Sequence, residues 1–155
     1  MILIKNGTII DPSCKREEQG DLLIADGKIA RIAPCGEIQE VGCEVIDATG
    51  MVVAPGLVDV HVHFRDPGFT YKEDIDTGAQ AALQGGFTSV VLMANTKPVV
   101  DNEETLDYIL EKGKNTPIHV YSCASVSKGL QGKELVDMAL LYSKGAAGFT
   151  DDGIP

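Results

Sequence analysis

Short apolar runs broken by turn residues fill positions 1 to about 55. ILI and TII flank Asn6-Gly7, and DLLIA and KIARI flank Asp26-Gly27. Both junctions carry the residues that two-residue hairpin connections prefer. CEVIDA and MVVAP continue the strand pattern, and no helical period interrupts it. The pattern predicts a small β-rich unit over 1–55.

After Pro55-Gly56 the period changes. LVDVHVHF reads as a strand, and YKEDIDTGAQAALQ reads as an amphipathic helix stopped by Gly85-Gly86. TSVVLMA is nearly continuous apolar sequence, the mark of a strand covered on both faces. DNEETLDYILEKG predicts a capped helix with an acidic first turn, IHVYSCA a third strand, KELVDMALLYSKG a third helix and AAGFT a fourth strand. Strand starts recur roughly every 30 residues, the length of a βαβ unit. The expectation is an α/β array of parallel strands over 56–155, a length at which a doubly wound sheet could stop and which is about half of an eight-stranded barrel. The sequence closes on TDDGIP, just after the fourth strand, so it reads as the first part of a longer protein.

Composition narrows the function classes. Lys+Arg total 13 against Asp+Glu 23, a net charge of -10, which argues against a nucleic-acid partner. The apolar start MILI turns polar after four residues, and no apolar run is long enough for a bilayer. Cys14, Cys35, Cys43 and Cys123 form no CxxC pair and read as reduced thiols of a cytoplasmic protein.

The candidate chemistry sits in DVHVHFRDPG, which holds two of the three histidines. Strand alternation puts Asp59, His61, His63 and Arg65 on one face, and Val58, Val60, Val62 and Phe64 on the other, ready to pack on helices. Buried imidazoles without partners would cost about 1–3 kcal/mol each, and a divalent metal compensates them. A satisfied polar pair on an edge strand accounts equally well for HVH alone. Position favours the metal, because Asp66-Pro67-Gly68 turns the chain and puts His63 and Arg65 at the strand's carboxyl end, where α/β sites form. Asn95 in LMANTKP and Asp151-Asp152 in GFTDDG sit at the same end, although each is also a plain turn residue. His119 starts its strand at the opposite end and reads as structural. Glu73, Asp74 and Asp76 read as the acidic start of a helix.

DVHVHFRDPG, with GGFTSVVLMANTKPV and GFTDDG, resembles the dihydroorotases of the cyclic amidohydrolase superfamily, in the bacterial type with aspartate in place of a carboxylated lysine. The family usually has proline where this chain has Ala94. The resemblance implies the first half of a (β/α)8 TIM barrel, strands 1 to 4, over 56–155, preceded by the amino-terminal part of a small β-sandwich over 1–55, and a site of one or two zinc ions held by His61, His63 and one aspartate, Asp152 by preference and Asp151 as the runner-up. It implies that Arg65 and Asn95 hold the substrate carboxylate. The implied reaction is the reversible opening of dihydroorotate to N-carbamoyl-aspartate in de novo pyrimidine biosynthesis. The family's later metal histidines and its general acid/base are expected beyond Pro155. A homodimer and an aspartate transcarbamoylase partner are further expectations. Rival readings are another cyclic amidohydrolase (hydantoinase, dihydropyrimidinase or allantoinase) and a non-catalytic partner of aspartate transcarbamoylase.

Overall fold

A computed structural model describes residues 1–39 and 41–153 of the chain. The chain divides into two compact units, Met1–Pro55 and Gly56–Pro155. The last two residues of the second unit, like the stretch expected beyond them, lie outside the described residues.

The first unit is one sheet built from β1 (Ile2–Asp11), β2 (Arg16–Ala25), β3 (Lys28–Ala33), β4 (Glu44–Asp47) and β5 (Val52–Val53). Its order is β3-β2-β1-β4, with β5 also paired to β1. The β2–β3 hairpin turns at Asp26-Gly27 as expected, both residues having positive φ (52° and 70°). Asn6-Gly7 does not turn the chain. β1 runs straight through it, and the pair makes an irregularity between Ile4 and Gly7, with Asn6 at φ 61°. Gly7 is required there, because a Cβ would lie 2.6 Å from the Val53 side chain. The β1–β2 turn falls instead at Pro12–Lys15, where Asp11 accepts from the Ser13 amide (3.0 Å) and hydroxyl (2.7 Å). The local signal at Asn6-Gly7 was real, but the contact with β5 decided its use.

The second unit carries four parallel strands: β6 (Leu57–Val62), β7 (Phe87–Leu92), β8 (His119–Ala124) and β9 (Gly148–Phe149). They lie in sequential order, β6-β7-β8-β9. A doubly wound sheet reverses its order part-way, whereas sequential order is the order of a barrel. The helices between them are α1 (Ile75–Gln84), α2 (Glu103–Gly113) and α3 (Met138–Ser143). Asp74 caps α1 in a capping box with Thr77, and Asn102 caps α2. The core joins Ile75 and Ala79 of α1, Val90 and Leu92 of β7, Leu106 and Ile109 of α2, and Leu141 of α3. Gly78 lets α1 sit on Phe64, because a Cβ there would lie 2.5 Å from the ring.

Two expectations change here. The third helix is shorter than KELVDMALLYSKG implies. Residues 133–136 fold back on the loop after β8, with a bridge between Ser127 and Leu135 and a hydrogen bond donated by the Val136 amide to the Val126 carbonyl (3.1 Å). Asp137 then caps the remaining helical turns through the Leu140 amide. In β6, Asp59 pairs with Val90 but Val62 pairs with Leu92, so β6 holds one extra residue. That irregularity breaks the alternation. Asp59 lines the α1-side cavity with Val62, Phe64 and Ala82, and its Oδ1 accepts from the His61 amide (3.0 Å). Val58 and Val60, expected under helices, are 60% and 68% exposed.

Candidate metal centre

The loops after β6, β7 and β9 meet at the carboxyl ends of the strands. His61 and His63 come from β6 and its continuation, and their rings lie 5.2 Å apart, edge to face. Asp152 comes from the loop after β9. Its Oδ1 lies 3.1 Å from His61 Nε2, and its Oδ2 lies 3.8 Å from His63 Nδ1. The Asp152 side chain is mostly buried, whereas His61 remains open to solvent. Asp152 adopts φ 48°, a left-handed backbone that aspartate tolerates better than most residues, and its amide donates to Thr150 Oγ1 (3.0 Å).

One donor atom from each of His61, His63 and Asp152 falls within a mutual distance of 4.8 Å. Metal bonds of about 2.0–2.2 Å at tetrahedral angles put donor atoms roughly 3.3 Å apart, so this set needs only small closure to hold a divalent cation. Two imidazoles and a carboxylate also match the donor chemistry of a catalytic site with an open position.

Asn95, from the loop after β7, completes the arrangement. Its Oδ1 lies 3.0 Å from His63 Nδ1, and its Nδ2 donates to Asp152 Oδ2. An amide oxygen only accepts, so His63 carries its proton on Nδ1 and keeps Nε2 open. Asn95 therefore contacts two candidate ligands directly. Among the described residues the Arg65 guanidinium has no hydrogen bond or ion pair.

Asp151 is drawn elsewhere. It accepts from the Val126 amide (2.8 Å), the Ser127 amide (3.0 Å) and the Ser127 hydroxyl (2.6 Å). Burial pushes its pKa up, but these three donors outweigh it and hold the carboxyl below its ordinary value. Asp151 thus ties the loop after β8 to the loop after β9, and Asp152 alone faces the histidines. His119 lies at the start of β8, beside Tyr121, outside this cluster.

The sequence reading treated Asp66 only as part of a turn. It is fully buried and accepts from Lys112 Nζ (2.6 Å), Tyr108 Oη (2.9 Å) and the Ile75 amide (3.3 Å). A signal was present, since Tyr108 and Lys112 stand four apart on one face of a predicted helix. Hydrogen bonding to Asp66 raises the Lys112 pKa above its usual value. Burial, then the bond to Asp66, raises that of Tyr108.

Residues 50–155 match the family model described as dihydro-orotase-like. The chain belongs to the dihydro-orotase-like family. Over all 155 residues it is 59% identical to a dihydroorotase of Clostridioides difficile (strain 630), covering 37% of that relative. It is 54% identical to a dihydroorotase of Streptococcus pneumoniae serotype 4, covering 100% of this chain and 36% of the relative. The chain thus spans little more than a third of the length of the curated relatives it matches. Among solved structures it resembles L-hydantoinase (dihydropyrimidinase) from Arthrobacter aurescens, with TM-score 0.75 and 26% identity over 96% of this chain and 32% of that one. D-hydantoinase from a Bacillus sp. AR9 gives TM-score 0.71 at 26% identity over the same shares. Family membership and the His61–His63–Asp152 group together point to a metal. Among the described residues no helix is long and apolar enough to cross a membrane.

Proposed function

We propose that the protein is a zinc-dependent dihydroorotase of the cytoplasm. It would open the cyclic amide of dihydroorotate to N-carbamoyl-aspartate, and close it again, in de novo pyrimidine biosynthesis. The convergence of His61, His63 and Asp152 in a chain of this family carries the reading. These three residues would hold zinc, one ion or the first of two. When bound, zinc would supply Lewis acidity that polarises the amide carbonyl and makes water a nucleophile near neutral pH.

The chain's own residues would do the rest. Asn95 fixes the tautomer of His63 and steadies Asp152 through its two side-chain bonds. Arg65 offers a planar fork for the substrate carboxylate, and no competing acid occupies it among the described residues. In a chain of net charge -10, such a cation is needed to hold an anionic substrate. Asn95 stands close enough to the cluster to share that task.

A hydantoinase reading is favoured by one observation, the resemblance to solved hydantoinases. The test is turnover of dihydroorotate, hydantoin and allantoin by the zinc-loaded whole protein. Dihydroorotate is expected to lead by at least ~100-fold in kcat/KM, because a site built to pair a carboxylate rejects analogues lacking it. Preference for hydantoin would replace this reading with the second one. A stable fold that fails to bind zinc tightly would favour a non-catalytic partner of aspartate transcarbamoylase.

A further inference from the structure

We propose that Asp66 is a positioning residue that fixes the direction of Arg65 through Lys112 and Tyr108 of α2. The inference rests on the reading of Arg65 as the carboxylate-binding residue.

Three observations carry it. First, Arg65 is flanked by two buried side chains, Phe64 at 8% exposure and Asp66 at 0%. Phe64 is wedged against Gly78 of α1. Asp66 is held from three directions, by Lys112 and Tyr108 of α2 and by the first amide of α1. The backbone of Arg65 is therefore clamped on both sides.

Second, Arg65 has no side-chain partner of its own among the described residues. Only its backbone is held, so the base from which the side chain extends depends on the contacts of Asp66 and Phe64. The rest of the loop is pinned consistently. The Phe69 amide donates to the Arg65 carbonyl (2.8 Å), and the Lys97 amide donates to the Pro67 carbonyl (3.0 Å). Gly68 passes so close to Lys97 that a Cβ would lie 2.1 Å from its carbonyl oxygen.

Third, a buried ion pair is a poor means of adding stability, since an apolar pair of similar volume does as well or better. What a carboxylate adds is direction. One Asp66 carboxylate gathers an ammonium, a phenol and a helix amide at fixed angles, which no apolar side chain can do. The same contacts join the loop after β6 to two helices that follow it in sequence.

The experiment is a double-mutant cycle on the metal-loaded whole protein, read as the dissociation constant of N-carbamoyl-L-aspartate by calorimetry. The paired change Asp66→Asn with Lys112→Met removes both charges together, so neither is left buried alone. It is expected to weaken binding about tenfold, as a small misplacement of a binding group does, while zinc affinity stays the same. In an Arg65→Met background the paired change is expected to alter binding less than about twofold. The milder Tyr108→Phe runs the same cycle if the paired variant does not fold, with an expected loss of about threefold. Equal losses in both backgrounds would mean that Asp66 acts on stability alone, and would overturn the inference while leaving Arg65 its role. If Arg65→Met itself leaves binding unchanged, the reading of Arg65 fails, and this inference fails with it.

Discussion

Among the described residues each unit fully buries one aspartate, and the two units use it differently. In the strand unit, Asp21 is fully buried and accepts from the amides of Asn6 (2.9 Å) and Gly36 (2.8 Å). Those donors are backbone groups, one at the irregularity within β1 and one in the turn after β3. In the half-barrel unit, Asp66 is buried equally deeply but collects an ammonium, a phenol and a helix amide from α1 and α2. The first aspartate closes local polar groups on themselves. The second ties a strand's exit loop to helices up to 46 residues away. At the strand ends of the half-barrel, polar groups also keep coordinating capacity: His63 keeps Nε2 open and Arg65 keeps its fork. A unit that closes its polar groups is a scaffold. A unit that leaves some open at one edge has a site.

That contrast can be broken experimentally. The largest expected effect is at Asp152. Asp152→Ala should lower zinc affinity by at least ~100-fold with far-UV circular dichroism unchanged, because one of three donors is removed from a largely preformed set. Competition with a chromophoric chelator reads it, and an affinity within threefold of wild type would remove Asp152 from the ligand set. Next is Asp21→Ala, which strands two amides in the strand unit. It should cost about 2 kcal/mol in denaturant unfolding and leave zinc affinity untouched. A change in zinc binding there would erase the distinction between scaffold and site.

Smaller effects sharpen it. Arg65→Lys keeps the charge but loses the fork, so the KM or dissociation constant for N-carbamoyl-aspartate should rise about tenfold. Unchanged binding would deny Arg65 its role. The smallest effect is expected at Asp151. Its carboxyl is held below the ordinary aspartate value, so its contacts stabilise the fold above the unfolded pKa near ~3.9 and lose that contribution as pH falls through the folded value. Asp151→Asn should lower Tm by about 3–5 °C at neutral pH, and by less once the pH drops below that window. A constant difference across pH would show that ionisation of Asp151 plays no part.

Much of the half-barrel could be read from the chain itself. TSVVLMA announced β7, although Ser89 and Val91 stay half-buried and Thr88 exposed where cover on both faces was expected, and Asn102 announced its helix. The Asp26-Gly27 turn fell where its residues demanded. His61 and His63 were legible because two imidazoles on adjacent same-face positions of a strand need a reason. What misled were signals whose outcome depends on distant contacts. Asn6-Gly7 has turn chemistry, yet Val53 presses on Gly7 and β1 continues. KELV has helical residues, yet Val126 and Ser127 offer it backbone partners. Asp59 alternates with His61 on paper, yet one extra residue in β6 sends it to the α1 side.

The sequence by itself determined most of the elements, their α/β order, the acidic balance and the family, because these rest on local periodicity and on motifs read along the chain. Only the tertiary structure shows that Asp152, and not Asp151, lies beside the histidines. Neighbouring aspartates are chemically identical, and the donors that claim one of them, Val126 and Ser127, lie about 25 residues away. The same holds for Asp66. A carboxylate becomes an anchor, and not a turn residue, only when folding brings a lysine and a tyrosine from another helix within hydrogen-bond reach.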